Sequence, residues 1–467
     1  MNRSTKIFSS VALFLLVLTP LLTPLLTPAL ADELADELAD KPADKTADIT
    51  PDAIPRALFD YVERAEPNFA WKLDGRVEME GGKAYRMSVT SQKWHGIVWE
   101  HALTICEPKQ IRHSKHMLLF VTGGRVGGQP SKSDLQTGMA LATLCGARVA
   151  TIHQVPNQPL FDNRKEDDLI TETWLRYLQT GDETWPLLFP MVKSAVKSMD
   201  AIEEFARDEW EVELEGFVVT GASKRGWTSW LTPVVDKRVI ATAPIVIDVL
   251  NFRPQMKHQM ETWGKYSDQI IDYTSKGLIV EGEENAREKQ LRRMMDPYTY
   301  RKQLAIPKLL VNGTNDPYWV VDAMKLYWGD LEGPKYVLQV PNAGHGLDGG
   351  KEMALSTIAA FFQHQAGKTP LPKLTWNSDP SGKAIALQVT SSTKPIAARL
   401  WHAHSDDKDF RDSKWASRPL GGNTSGDTQM FATTVDKPAT GHVAYYGELQ
   451  FHINGVPFSL CTLVHRH

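Results

Sequence analysis

The chain has 467 residues, of which 42% are hydrophobic and 23% charged, which is globular composition and length enough for two or three domains. A formal net charge of -4 gives no electrostatic case for nucleic acid or an anionic membrane surface as partner, so a small molecule or peptide is the expected one. Three cysteines are too few for a disulfide scaffold; either Cys106 and Cys145 form one bridge or all three are buried thiols. No CxxC or His/Cys spacing suggests a metal site, and no cofactor is implied.

In chain order, Arg3 and Lys6 precede an apolar stretch from Ile7 to Leu18, and Ala29-Leu30-Ala31 supplies the small residues that a signal peptidase reads. Pro20, Pro24 and Pro28 would interrupt a spanning helix. Residues 1–31 are therefore expected to be a cleaved signal peptide, and the protein to be secreted or periplasmic without stable membrane insertion. The charged repeats over 32–50 lack aromatics and read as a disordered leader.

A hydrolase-like domain is expected over 51–368. Tyr85 to Ser91, Ile97 to Cys106 and Met117 to Val121 read as strands of an opening meander. Gln136 to Leu144 has helical periodicity, Ala147 to His153 is a strand, and Glu166 to Leu178 and Trp185 to Arg207 are helices. Gly216 to Val219, Val239 to Asp248, Lys308 to Asn312 and Lys335 to Val340 are further strands separated by long crossovers, which implies a doubly wound, mostly parallel sheet of the α/β-hydrolase class. A polar, helix-forming stretch over about 251–301 would be a cap inserted above the sheet. Past a Pro-containing linker at Thr369 and Pro370, short alternating runs suggest a small all-β sandwich over 371–467.

The chemistry concentrates at Gly221-Ala222-Ser223-Lys224-Arg225-Gly226-Trp227, between a strand and a helix. A serine framed by small residues at that turn is how a nucleophile elbow exposes its hydroxyl. Arg225 stands where the second glycine of G-x-S-x-G is expected, so close approach must rely on Ala222 and Gly226. Asp316 follows the strand ending at Asn312, and His345 follows the strand ending at Val340, so acid and base arrive in the order Ser, Asp, His with a strand before each. Asp248, closing an earlier strand, is the alternative acid, whereas Asp322 reads as a helix-start residue. The oxyanion donors expected are the backbone N–H of Lys224 and one from Gly124 or Arg125. Tyr318, Trp319, Trp227 and Arg225 are the candidates for a substrate pocket, with core packing as the other reading of the aromatic ones. Lys224 and Arg225, if they faced the cleft, would favour an anionic substrate group; otherwise they would pair with nearby acids such as Asp248. Trp94, His95, Trp99 and His101 read as structural, with two of them edging the cleft as the other reading.

GASKRGWTSWLT (Gly221 to Thr232), VIDVLN (Val246 to Asn251), NGTNDPYW (Asn312 to Trp319) and VPNAGHGL (Val340 to Leu347) resemble the PhoPQ-activated pathogenicity-related protein family, and LFDYVERAEPNFAWK (Leu58 to Lys72) and SQKWHG (Ser91 to Gly96) extend the likeness. The resemblance implies a secreted α/β-hydrolase-like domain followed by a β-rich one, and an association with virulence. It fixes no substrate. Two functions follow as expectations: a serine hydrolase, either a peptidase on short peptides or a carboxylesterase, and a secreted signalling or binding protein on a hydrolase scaffold.

Overall fold

The computed structural model describes residues 53–279, 281–425 and 428–467. The signal peptide and leader expected over 1–31 and 32–50 lie outside the described residues. The first part of the chain supplies nine strands: β1 (Ala70–Met79), β2 (Gly82–Trp94), β3 (Ile97–Pro108), β4 (His116–Val121), β5 (Val149–Ile152), β6 (Gly216–Ala222), β7 (Val239–Ile245), β8 (Lys308–Gly313) and β9 (Lys335–Val340). They form one sheet in the order β1-β2-β3-β5-β4-β6-β7-β8-β9. The front of the sheet, β1 to β3, is an antiparallel meander whose last strand also runs antiparallel to β5; from β5 to β9 every neighbouring pair is parallel. This is the α/β-hydrolase arrangement, with β1 added at the meander's edge.

The central strands are mostly apolar because helices cover both faces. Phe217, Val218 and Val219 of β6 and Leu118 and Leu119 of β4 are fully buried. The helix Leu188–Trp210 packs with Ala57–Glu63 and Lys224–Val235 as one layer, and Lys132–Cys145 packs with Lys351–Ala366 as the other. Cys106, Cys145 and Cys461 are buried free thiols, so of the two cysteine readings the unbridged one applies.

The insertion after β7 is helical, with segments Phe252–Trp263, Ile271–Thr274 and Ala286–Met295. The last of these starts at an Asn285 capping box closed by Glu288. The insertion rests on the helix Glu166–Thr180, which thereby becomes part of the cap. The C-terminal region folds as two antiparallel sheets. One joins β10 (Leu374–Asp379), β11 (Ala384–Ser391), β14 (Gly422–Ser425) and β15 (Thr428–Asp436); the other joins β12 (Ala397–Ser405), β13 (Ala416–Pro419), β16 (His442–Ile453), β17 (Val456–Cys461) and β18 (His465–Arg466). The sheets face each other where Gly447 of β16 lies against Val389 and Leu387 of β11. Residues 54–467 form one unit, and β16 and β17 pack onto β9, where the Tyr446 hydroxyl donates to Gln339 O at 3.4 Å. No helix among the described residues is long and apolar enough to cross a membrane.

Candidate active site

Ser223 sits between β6 and the helix Lys224–Val235 with φ 57° and ψ −124°, a backbone conformation costly for a side-chain-bearing residue. Two contacts hold it there. Its N–H donates to Ile245 O of β7 and its carbonyl accepts from Trp227 N, each at 2.9 Å. The turn also needs close backbone approach, and the glycines supply it: a Cβ on Gly221 would lie 2.8 Å from Val121 O and one on Gly226 would lie 2.7 Å from Ile247 Cγ2. Gly226, one place later than the usual pattern, carries the helix-to-strand contact.

The acid and histidine loops meet this serine from β8 and β9. His345 Nε2 is 2.9 Å from Ser223 Oγ, and His345 Nδ1 is 2.8 Å from Asp316 Oδ2. With Nδ1–H donated to the carboxylate, Nε2 is left to accept the hydroxyl proton. The second oxygen of Asp316 accepts from Tyr318 N at 3.0 Å, which fixes the carboxylate plane. Asp248 is buried elsewhere: it accepts a hydrogen bond from the Tyr327 hydroxyl, and burial raises its carboxyl to about 7 against the opposing effect of that bond. Among the described contacts it makes none with His345. Asp322 pairs with His258 at 2.7 Å and Lys325 at 2.7 Å, a structural role.

Lys224 opens the helix after the serine, where its N–H has no partner four residues earlier in the helical ladder. Gly124, at φ 136°, and Arg125 lie in the turn after β4. That turn is held by Gln154 N donating to Gly123 O at 2.9 Å, Val155 N to Thr122 O at 3.1 Å, and Val126 N to Gln158 O at 2.7 Å. Neither Gly124 nor Arg125 contributes to the wall of the cavity described below.

The expectation that Arg225 lines a substrate pocket is corrected. Its guanidinium turns under the Gly124 turn, donating to Val155 O at 2.5 Å and to both Glu166 oxygens at 2.7 and 2.8 Å. A Cβ on Gly123 would sit 2.5 Å from that guanidinium, so the glycine before the turn makes room for it. Lys224 is likewise occupied, with Nζ 2.7 Å from Asp167 and 3.7 Å from Glu166. Burial pushes the Glu166 carboxyl up, but Arg225, with Gln158 and Lys224, outweighs it and holds the group near 2. The two cations thus face two carboxylates, neither of them Asp248, and the anionic-substrate expectation loses its basis.

A cavity of about 810 Å³ opens on Ser223 and His345. Tyr318, Trp319 and Trp227 all line it. The Tyr318 ring lies 4.2 Å from the His345 ring, and Trp227 donates from Nε1 to Met295 O at 2.7 Å, tying the helix after Ser223 to the cap. Trp94 and Trp99 are buried, His101 donates from Nδ1 to His153 O and accepts from the Ser91 hydroxyl at Nε2, and His95 stacks on Trp185, all away from that wall. No group of three or more His, Cys, Asp or Glu side chains among the described residues could hold a metal ion.

A profile of the PhoPQ-activated pathogenicity-related protein family matches residues 58–411. The chain belongs to that family. It is 30% identical over 430 residues to the autocrine proliferation repressor protein A of Dictyostelium discoideum, across 84% of this chain and 85% of that protein. Among solved structures it is similar to acetyl xylan esterase 1 from Thermoanaerobacterium sp., with a TM-score of 0.46 and 13% identity over 67% of this chain and 95% of that one. It is also similar to the acylaminoacyl peptidase of Pyrococcus horikoshii, with a TM-score of 0.39 and 14% identity over 64% and 50%. The hydrolase architecture of this family member stands on its own strand order and elbow.

Sequence reasoning missed several groups around the site. Glu166 and Asp167 open a helix as an ordinary acidic first turn, and nothing local marks them as the partners of cations some 59 residues later. Asn315 and Asn342 were equally silent. Asn315 Nδ2 donates to Phe410 O, Arg411 O and Ser413 O at 3.4, 2.9 and 2.8 Å, while the Asn342 amide donates to Trp415 O at 3.0 Å and accepts from Trp415 N at 2.7 Å. The C-terminal region thereby grips the two loops that carry Asp316 and His345. Both asparagines lie inside the family-like stretches, which was the one available hint.

Proposed function

We propose that this protein is a serine hydrolase acting through an acyl-enzyme, with Ser223 as nucleophile, His345 as general base and then acid, and Asp316 orienting the imidazole. The observation that carries the reading is the unbroken chain of contacts from Ser223 Oγ through both His345 nitrogens to Asp316, built at a strained turn. The Lys224 N–H and a donor from Gly124 or Arg125 would stabilise the oxyanion. The bond attacked is an ester, as in a carboxylesterase, or the amide of a short peptide. Residues 51–368 are proposed as the catalytic domain and 371–467 as a sandwich domain packed against it, in a protein exported by residues 1–31 to the periplasm or beyond and serving in virulence, as the family's name suggests.

Fluorophosphonate labelling tests the nucleophile: wild-type protein should label and Ser223→Ala should not, and absence of wild-type labelling rejects the reading. Turnover of p-nitrophenyl esters without turnover of dipeptide anilides would discard the peptidase version. A second reading, a secreted signal on a hydrolase scaffold, is favoured by the name of the Dictyostelium relative. It requires the biological effect to survive in Ser223→Ala.

A further inference from the structure

The cavity on Ser223 is much larger than the reacting bond requires, and most of its exposed wall is apolar. The inserted segment supplies Phe252, Met256, Met260, Ile270, Leu278 and Leu291. Trp174 and Leu178 of the helix Glu166–Thr180 face them, with Trp174 set edge-on to Trp227 at 6.0 Å between ring centroids. At about 810 Å³ the space is in the range that encloses most of a drug-sized apolar ligand.

Most of the charged side chains that reach this wall already have close partners; Lys257, largely exposed, lies 3.6 Å from Glu261. Lys224 is held by Asp167, whose other oxygen accepts from the Tyr273 hydroxyl at 3.0 Å. Arg292 pairs with Glu284 at 2.7 Å and Arg253 approaches the same carboxylate at 3.4 Å. Glu281 accepts from Tyr266 at 3.0 Å, and Glu288 closes the helix cap at Asn285. A charged substrate group entering here would have to break an existing pair and lose its own hydration, whereas an apolar group only displaces water.

Resting on the serine-hydrolase reading, we infer that the substrate carries a bulky, neutral, apolar chain or aromatic ring next to the scissile bond, and that the insertion between β7 and β8 is the element that selects it. The polar part of the molecule then stays at the mouth beside Ser223 and His345. Substrates with small acyl and alcohol parts leave most of the cavity wet and gain none of its burial.

Alkyl fluorophosphonates of rising chain length test this without a known substrate. Ser223 Oγ bonds to phosphorus, fluoride leaves, and the hydroxyl proton passes to His345. The inactivation rate should rise by about three- to fourfold per added methylene until the cavity is filled. Two ester series, p-nitrophenyl acetate to dodecanoate and acetates of ethanol to decanol, show whether the group sits on the acyl or the alcohol side. Leu291→Trp should cut the long-to-short rate ratio about tenfold or more, and Met260→Trp, at a more exposed wall position, should do the same if the core substitution fails to fold. Rates that are flat or highest for the shortest chain in the fluorophosphonate series and in both ester series overturn the inference and leave the hydrolase reading intact. No inactivation by any fluorophosphonate overturns both.

Discussion

Arg225 shows how far one side chain's role can depart from its place in a motif. It occupies the position of an elbow glycine, yet its guanidinium braces the turn after β4 through Val155 and Glu166. Replacing it by methionine leaves Glu166 without its main partner. The expected loss is about 2–3 kcal/mol in urea unfolding, below that of a fully enclosed pair because Glu166 is partly open to water. Adding Glu166→Gln should recover part of it; full additivity would show the two groups are not coupled. Asp248 supports a pH prediction. Its folded value of about 7 lies above the ordinary 3.8, so the native state holds the proton more tightly, and stability from this group is complete below about 3.8 and declines as pH rises through 7. Asp248→Asn keeps an acceptor for Tyr327 and should flatten the fall in unfolding free energy between pH 4 and 7. An identical pH profile in the variant would contradict the buried, protonated carboxyl.

At the scale of elements, the parallel strands were legible because each is a short apolar run ended by turn residues, and Lys335–Val340 came out with the expected bounds. β1 was not. Trp71, Leu73, Val77 and Met79 do recur on its half-buried side among exposed neighbours, but none is fully buried and the pairing with β2 slips between Leu73 and Gly75, so its signal is an alternation without the apolar run that marks the central strands. Ser223, Asp316 and His345 were readable from their order after strands, but the partners of Lys224 and Arg225 were not, since ion pairing across the fold leaves no local spacing. The cap was readable as a helical insertion, whereas the contribution of Glu166–Thr180 to it depends on tertiary packing alone. The displaced glycine yields a test of the elbow. In Gly226→Ala the new methyl would press on Ile247, Gly221 O and Ile245 O, so about 1–3 kcal/mol of stability should be lost together with fluorophosphonate reactivity. Full reactivity in a folded G226A protein would show that the helix can retreat without disturbing Ser223.

Across the whole molecule, the two asparagine contacts join the C-terminal sheets to the loops of Asp316 and His345. Asn342→Ala and Asn315→Ala should lower kcat about tenfold or more on any ester the screen identifies, with KM little changed, because the cavity is untouched while the imidazole loses its support. Asn454→Ala breaks a contact with Gln363 at the same junction, remote from the site, and should leave kcat unchanged. Equal effects from all three would reduce the asparagine contacts to general adhesion. The same contacts impose an order in time. The loop that receives Asn315 is 95 to 98 residues further along the chain, so while the polypeptide is being made the acid and histidine loops emerge well before their final tethers. A chain ending between residues 346 and 409 would carry Ser223, Asp316 and His345 and still lack the contacts that hold the acid and histidine loops.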